Sequence, residues 1–244
     1  MIKAYAKSDK GNVRETNEDY FYISNSLDQI QLFLLADGMG GYNGGEIASQ
    51  LAIQTAKNYI ENNFKDIEKD RDSIIQLLGS SMEYANMVVY EKAKENPELQ
   101  GMGTTLEICL IYNNKAYIGH VGDSRIYRVR KQFIRKLTQD HSYVQKLVKE
   151  GTITKEQAEH HPQKNMLMKA LGCNAFVEPD VMVKGFLKED VLVMCSDGLS
   201  NMVTQDDIYK MASGNIEQAT VDLVDKANEN GGYDNITVVI IKNI

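Results

Sequence analysis

The order of strand-like and helix-like segments constrains the fold of this 244-residue chain more than any other feature. Apolar and β-branched runs bounded by turn residues predict strands, and apolar residues three or four positions apart predict helices. The predicted strands are 2–8, 19–24, 31–37, a meander within 104–138, 175–186, 190–197 and 235–244. The predicted helices are about 45–64, 71–94, 204–211 and 216–227.

Strands therefore come in groups and helices come in pairs, which favours antiparallel sheets covered by helices over a doubly wound parallel sheet. We predict an α+β fold, a four-layer α/β/β/α sandwich of two antiparallel β-sheets covered by helix pairs. Residues 139–170 are polar and hold three of the four histidines, so we expect a surface segment with short helices there. No repeat or linker divides the chain, and we expect one domain over residues 1–244.

The charge balance restricts the class of partner. The 27 basic and 34 acidic residues give a formal charge of −7, and the absence of a basic run argues against nucleic acid or an anionic membrane surface as a partner. No segment resembles a signal peptide or is apolar enough to cross a bilayer. Three cysteines without a CxxC pair predict reduced thiols, not zinc or disulfides. We expect a cytoplasmic protein.

Four aspartates stand where a predicted strand begins or ends. Asp37 ends the strand in "FLLADGMGG", Asp197 ends the one in "VLVMCSDGLS", Asp123 lies in the turn "VGDSR", and Asp234 precedes the last strand. Each alone could form a turn or cap a helix. If they converge on one rim of the sheets, they repel one another unless a cation or protons neutralise them. Clustered carboxylates form a hard oxygen shell that suits Mg²⁺ or Mn²⁺ and not zinc.

A second polar group lies near the start of the chain. The stretch "RETNEDY" contains Arg14, Glu18 and Asp19. Arg14 is either a surface charge or, beside a metal cluster, a planar fork suited to two phosphate oxygens. Hard cations together with an arginine indicate phosphoryl chemistry, because the metals neutralise the phosphate and generate hydroxide at neutral pH.

Eight motifs along nearly the whole chain resemble, in order, the compact bacterial metal-dependent serine/threonine protein phosphatases of type 2C. They are RETNEDY, LLADGMGGYNGGEIAS, GMGTTLEICLI, GHVGDSRIYRVR, LTQDHSYVQKLVKEG, HPQKNMLMKALG, LVMCSDGLSNMV and GGYDNITVVII. The resemblance implies the same sandwich fold. It also implies that residues of about 139–170 form a flap beside the active site.

The resemblance implies a binuclear metal site. Asp37 is expected to bridge two Mn²⁺ or Mg²⁺ ions, and the carbonyl of Gly38 is expected to bind one of them. Asp197 and Asp234 are expected to complete the shell of the other ion.

Further residues follow from the same resemblance. Glu18 and Asp19 are expected to hold metal-coordinated waters, and Arg14 to bind the substrate phosphate. Asp123, together with Asp197, corresponds to a third, more weakly bound metal found in bacterial members.

The implied reaction is direct attack on phosphorus by a hydroxide held between the two metals, without a covalent phospho-enzyme. Some members carry histidine where this chain has Met39, and methionine cannot donate a proton. Protonation of the leaving oxygen is left to a metal-bound water or to a flap histidine such as His161.

The flap sequence departs from many relatives in two places. Lys164 and Met168 stand where arginine and threonine are common, which changes the expected flap contacts and not the metal centre. We expect His141, His160 and His161 to form a polar surface, because loop histidines are often solvated.

We therefore expect a metal-dependent hydrolase of phosphoserine and phosphothreonine in proteins. Two alternatives remain at this point: a non-catalytic phosphoprotein-binding module of the same fold, and a two-metal phosphoesterase acting on small molecules. The resemblance further implies phosphoprotein partners, including a serine/threonine protein kinase, and a monomer.

Overall fold

The computed structural model describes residues 1–25, 30–40 and 44–244, and the described residues form strands β1–β11 and helices α1–α7. The strands are β1 (Ile2–Asp9), β2 (Asp19–Ile23), β3 (Gln31–Met39), β4 (Gly103–Thr104), β5 (Leu106–Tyr112), β6 (Lys115–Val121), β7 (Arg125–Arg130), β8 (Phe133–Lys136), β9 (Asp180–Gly185), β10 (Val191–Cys195) and β11 (Ile236–Asn243). The helices are α1 (Gly44–Phe64), α2 (Arg71–Glu95), α3 (Tyr143–Lys149), α4 (Lys155–Glu159), α5 (Asp197–Ser200), α6 (Gln205–Ala212) and α7 (Ile216–Glu229).

The strands form two antiparallel sheets, as the sequence predicts. The first sheet has the order β1-β11-β10-β7-β8. The second has the order β2-β3-β5-β6-β9, and the short strand β4 pairs with the end of β3. The last strand, β11, thus lies between β1 and β10 in the first sheet.

Three apolar clusters show that the sheets and helices stack in four layers. The cluster between the sheets contains Phe33, Ile118, Leu192 and Val239. A second cluster joins the other face of the second sheet to α1 and α2, and a third joins the first sheet to α5, α6 and α7. The predicted α/β/β/α sandwich is confirmed. The inner strands β3, β5, β10 and β11 are buried on both faces.

Helix α2 illustrates how local sequence sets these layers. The side chain of Asp70 accepts a hydrogen bond from the backbone N–H of Ser73 and caps the first turn. Ile74, Leu78 and Met82 then recur on one face and are fully buried against the second sheet. The helix ends before Pro97, which cannot continue it. None of the described helices is long and apolar enough to cross a membrane.

The prediction of one meander within 104–138 is wrong. Strands β5 and β6 form a hairpin through Asn113 and Asn114, whose φ angles of 47° and 56° suit a tight turn. Strands β7 and β8 form a second hairpin, but in the other sheet. The chain crosses between the sheets at Gly122, where φ is 118°. Alternating apolar residues identify strands without identifying their partners, so the sequence pattern is the same in both arrangements.

Two predicted strand boundaries are also wrong. Strand β3 does not end at Asp37 but continues to Met39, because Gly38 and Met39 pair with β4. The strand predicted at 175–186 begins only at Asp180, directly after Pro179, and Phe176 is 92% exposed. Proline has no N–H to contribute to a sheet, which explains the late start.

Candidate active site

Carboxylates from both sheets gather at one end of the sandwich. Asp19 begins β2 and lies directly opposite Asp37 in the register with β3. Asp123 follows β6, Asp197 begins α5 just after β10, and Asp234 precedes β11. In antiparallel sheets the end of one strand lies beside the start of the next. The strand-end aspartates of each sheet are thus neighbours, and their charges act on one another across the two sheets.

The electrostatics show that these carboxylates act on one another. The pKa of Asp37 is raised well above its ordinary value by burial and by the negative charges of Asp19, Asp197 and Asp123. Burial and repulsion from Asp197 raise the pKa values of Asp19 and Asp123 to about 7. The pKa of Asp197 is raised by burial and by repulsion from Asp234. A divalent cation would offset this repulsion.

Asp19 has one oxygen engaged and one free. Its Oδ2 accepts a hydrogen bond of 2.8 Å from the hydroxyl of Ser196. Its Oδ1 is buried and has no hydrogen-bond partner among the described residues. An ionised oxygen buried without a partner is costly, so Asp19 Oδ1 calls for a proton, a water molecule or a cation.

The backbone of Asp37 is held from both sides by two threonines. Its N–H donates to Thr105 Oγ1 at 2.9 Å, and its carbonyl accepts from Thr105 N and from Thr104 Oγ1, each at 2.9 Å. The hydroxyls of Thr105 and Ser124 lie 2.9 Å apart, and Ser124 directly follows Asp123. Thr105 therefore links the position of Asp37 to the turn that carries Asp123.

The link between Thr105 and Asp37 was not predicted from the sequence. The residues stand in "GMGTTLEICLI", where no local pattern marks the two threonines as partners of Asp37. Only the register of β3 with β4 and β5 brings them to Asp37.

Gly38 occupies a position that no larger residue can take. A Cβ there would lie 2.1 Å from the carbonyl oxygen of Gly45 and 2.6 Å from that of Glu18. The start of α1 thus packs directly on the strand end, and the carboxylate of Glu18 lies beside Gly45. Burial raises the pKa of Glu18, in part opposed by the charge of Arg14.

The segment that carries Arg14 is fixed by Asn235. The side-chain oxygen of Asn235 accepts from Glu18 N at 2.8 Å, and its amide donates to the carbonyls of Lys10 and Thr16. Arg14 is half exposed, and its Nη2 donates to Asp234 Oδ2 at 2.9 Å. This hydrogen bond is the main cause of the raised pKa of Arg14.

The chemistry of these donors fits divalent metal ions. The site offers several carboxylates with raised pKa values, an unpartnered buried oxygen on Asp19, and no thiolate among the predicted ligands. Such a set suits hard cations that prefer oxygen. No three acidic, histidine or cysteine side chains in the described part of the chain are arranged to hold a metal as they stand. The carboxylates are neighbours, not a finished coordination shell.

The expectation that the flap histidines form a polar surface is wrong for His141. Its side chain is only 11% exposed, and its ring stacks on the buried ring of His120 at 4.5 Å. His160 is exposed at the end of α4. The ring Nδ1 of His161 accepts from the N–H of Gln163 within the flap itself. The error arose because sequence position alone does not show that His141 packs against His120 of β6.

Comparison with known proteins agrees with this geometry. The sequence profile of the family "Protein phosphatase 2C" matches residues 12–232. The serine/threonine phosphatase stp of Listeria monocytogenes serovar 1/2a is 36% identical over 244 residues, covering 99% of this chain and 96% of that protein. The serine/threonine protein phosphatase PstP of Mycobacterium tuberculosis is 35% identical over 241 residues, covering 98% of this chain and 45% of that protein.

Solved structures extend the likeness to the whole fold. The S. agalactiae serine/threonine phosphatase superposes with a TM-score of 0.91 at 35% identity over all of both chains. The catalytic domain of PstP in complex with two manganese ions superposes with a TM-score of 0.86 at 33% identity, covering 99% of this chain and 97% of that one. The chain belongs to the protein phosphatase 2C family. It is a serine/threonine protein phosphatase of the metal-dependent type.

Proposed function

We propose that the carboxylates at the shared end of the two sheets form the metal centre of this phosphatase. The observation that carries the proposal is the convergence of Asp19, Asp37, Asp123 and Asp197, whose charges raise one another's pKa values. Buried carboxylates are tolerated at such a density when cations neutralise them. The unpartnered Oδ1 of Asp19 supports the same assignment.

In this proposal, two tightly bound ions are held by the carboxylates of Asp37, Asp197 and Asp234 and by the carbonyl of Gly38. The close packing of Gly38 on α1 supports its role, because its backbone is fixed without a side chain in the way. Glu18 and Asp19 are proposed to act through water.

Arg14 is proposed to bind the substrate phosphate. Its guanidinium is half exposed at the edge of the acidic cluster, and one Nη2–H already donates to a carboxylate oxygen of Asp234. The same planar fork can donate to two phosphate oxygens and orient the phosphoryl group. Divalent metal ions, when bound, neutralise the phosphate and lower the pKa of water, so that water can act as a nucleophile at neutral pH.

Manganese is the first metal to test, because the PstP catalytic domain is described in complex with two manganese ions. Magnesium prefers the same hard oxygen ligands and is an equal candidate. A third, weaker site is proposed at Asp123 and Asp197, whose mutual repulsion contributes to the raised pKa of Asp123. Two carboxylates give such a site little charge, so it should fill only at higher metal concentration.

The substrates are proposed to be phosphorylated proteins, including a serine/threonine protein kinase, and the protein is proposed to act as a monomer. The relatives support the substrate class through their names as serine/threonine phosphatases. The kinase and the monomer remain proposals that pull-down and light scattering would test.

The test of this function is dephosphorylation of a phosphothreonine peptide with Mn²⁺, with and without a chelator, beside a mononucleotide and a sugar phosphate. We expect turnover of the peptide that the chelator abolishes. Preference for the small molecules would favour a small-molecule phosphoesterase. Peptide binding without turnover at saturating metal would favour a non-catalytic binding module.

The matching variant is Asp37→Ala, which should lower turnover by orders of magnitude while the fold survives, because a bridging ligand is lost. Asp72→Ala is the matched control, since Asp72 lies on α2 with its side chain 87% exposed. Near-normal turnover of metal-saturated Asp37→Ala would contradict the proposed metal centre.

A further inference from the structure

A polar group lies buried between the two sheets, outside the carboxylate cluster. Glu107 on β5 and His120 on β6 face each other in register, and both side chains are completely buried. His120 Nδ1 shares a hydrogen bond with Glu107 Oε1. His120 Nε2 lies 2.8 Å from the carbonyl oxygen of Gln139, the first residue of the flap. A carbonyl can only accept, so Nε2 carries a proton and donates to the flap.

His141 stacks on this buried ring and reaches the turn that carries Asp123. The two imidazole centroids are 4.5 Å apart at an angle of 31°. His141 Nδ1 accepts a hydrogen bond of 3.2 Å from the backbone N–H of Gly122. The ring proton therefore lies on Nε2, which is 3.3 Å from Asp180 Oδ2 on β9. Burial and the nearby His120 lower the pKa of His141 to about 4, so the ring stays neutral and Nδ1 can accept.

The backbone of His141 forms hydrogen bonds both with the crossing turn at Gly122 and with the far side of the flap. Its N–H donates to the carbonyl of Gly122 at 2.7 Å, and its own carbonyl accepts from Met168 N at 2.7 Å, on the returning side of the flap. His141 thus joins three parts of the molecule: the base of the flap, the far side of the flap, and the crossing turn between the sheets. Gly122 immediately precedes Asp123, so one peptide unit separates Asp123 from the residue that His141 holds.

We propose that His141 is a positioning residue that couples the flap to the turn bearing Asp123. Stacked on His120, it holds both the N–H and the carbonyl of Gly122, and its own carbonyl holds Met168 of the flap. This inference rests on the proposed role of Asp123 as a ligand of the weaker metal. It predicts that flap contacts and occupancy of that site change together.

A matched pair of substitutions separates the two ring nitrogens. In His141→Asn the side-chain oxygen can replace Nδ1 and accept from Gly122 N, whereas in His141→Gln the amide can replace Nε2 and reach toward Asp180. His141→Leu removes both contacts and keeps an apolar side chain against His120. His160→Leu is the control, because His160 is an exposed flap histidine.

The first measurement is hydrogen exchange of the Gly122 amide by NMR, without metal or substrate. We expect exchange about two- to tenfold faster in the Gln and Leu variants, the worth of one neutral hydrogen bond, and close to the wild-type rate in the Asn variant. Equal protection of this amide in all variants, or equal loss in Asn and Leu, would overturn the proposal. The Asn–Gln comparison decides the matter even if the Leu variant does not fold.

The second measurement is a Mn²⁺ titration by calorimetry together with steady-state kinetics on a phosphothreonine peptide. In the Gln and Leu variants, we expect weaker binding of the low-affinity Mn²⁺, a lower kcat at limiting Mn²⁺ and recovery at high Mn²⁺. If the Asn variant retains low-affinity Mn²⁺ binding and kcat while the Gln and Leu variants lose them, the effect comes from the contact with Gly122 and not from general destabilisation.

Asp123→Asn is measured alongside to separate the two claims. If Asp123→Asn retains full turnover and low-affinity Mn²⁺ binding, the proposed third site is wrong. If Asp123→Asn loses them while all His141 variants match the wild type, the third site stands and the role of His141 is refuted.

Discussion

Replacing Thr105 by valine tests how the fold holds Asp37 in place. Thr105 is 2% exposed, and its hydroxyl accepts from Asp37 N and lies 2.9 Å from Ser124 Oγ. Valine keeps the volume but leaves the N–H of Asp37 without its acceptor. A buried donor left unpaired costs about 1–3 kcal/mol of unfolding free energy. For a domain of this size that lowers Tm by about 2–12 °C.

Thr105→Ser is the matched variant because it keeps the hydroxyl and loses only the methyl group. That methyl packs on Gly122, where an added Cβ would lie 2.5 Å from Thr105 Cγ2. Its removal costs about 0.5–1.5 kcal/mol, which overlaps the cost of the valine variant. Stability alone therefore does not separate the two variants, but turnover does: we expect near-normal kcat for Ser and a reduced kcat for Val.

A double-mutant cycle with Ser124→Ala isolates the hydroxyl pair. Urea unfolding of the wild type, both single variants and the double variant gives the coupling energy. We expect about 0.5–1.5 kcal/mol, the worth of one neutral hydrogen bond. The reasoning is refuted if Ser124→Ala costs the same with threonine or valine at position 105, and equally if Thr105→Val retains full kcat.

Three further predictions concern single side chains. Arg14→Ala should mainly raise KM and lower kcat/KM about ten- to a hundredfold with nearly unchanged metal affinity, and Arg14→Lys should rescue only partly, because it keeps the charge and loses the fork. Unchanged kinetics in both variants would make Arg14 a surface charge. Asp123→Asn should keep the fold and the two tight metals but lose most turnover; loss of the tight pair in a metal titration would place Asp123 in the binuclear centre instead. Asp140→Asn should lower the unfolding free energy by about 1.5–3 kcal/mol at pH 7, since Asp140 pairs with Arg125 and Lys136. Burial acts to raise the pKa of Asp140, but these two cations outweigh it and the net pKa is lowered. The stabilisation is thus present above about pH 4 and lost as the pH falls through the lowered pKa, so the urea midpoints of variant and wild type should converge in acid.

The four layers of the fold and the candidate carboxylate ligands could be predicted from the sequence. Helices α1 and α2 each bury one face, and Asp37 and Asp197 each follow an apolar run and directly precede a glycine. These are local signals, so a single sequence contains them.

The features that could not be predicted depend on pairing between distant segments. Nothing near Gly122 shows that β6 and β7 lie in different sheets. The contact of His141 with Gly122 depends on that crossing, and the contact of Thr105 with Asp37 depends on the register of β3 with β4 and β5. Glu107 and His120 read as ordinary polar residues in the strand pattern, and only their register makes them a buried pair.

The interior position of β11 in its sheet has a consequence for folding. This strand pairs with β1 from Ile2↔Asn243 to Asp9↔Ile236 and with β10 on its other side. Arg14 likewise meets Asp234 across 220 positions of the chain. Closing such long loops is entropically costly, and contacts of this kind form late and slowly in folding. Until β11 has inserted between β1 and β10, Arg14 and Asp234 are not held together, so we expect phosphatase activity to appear only late in refolding.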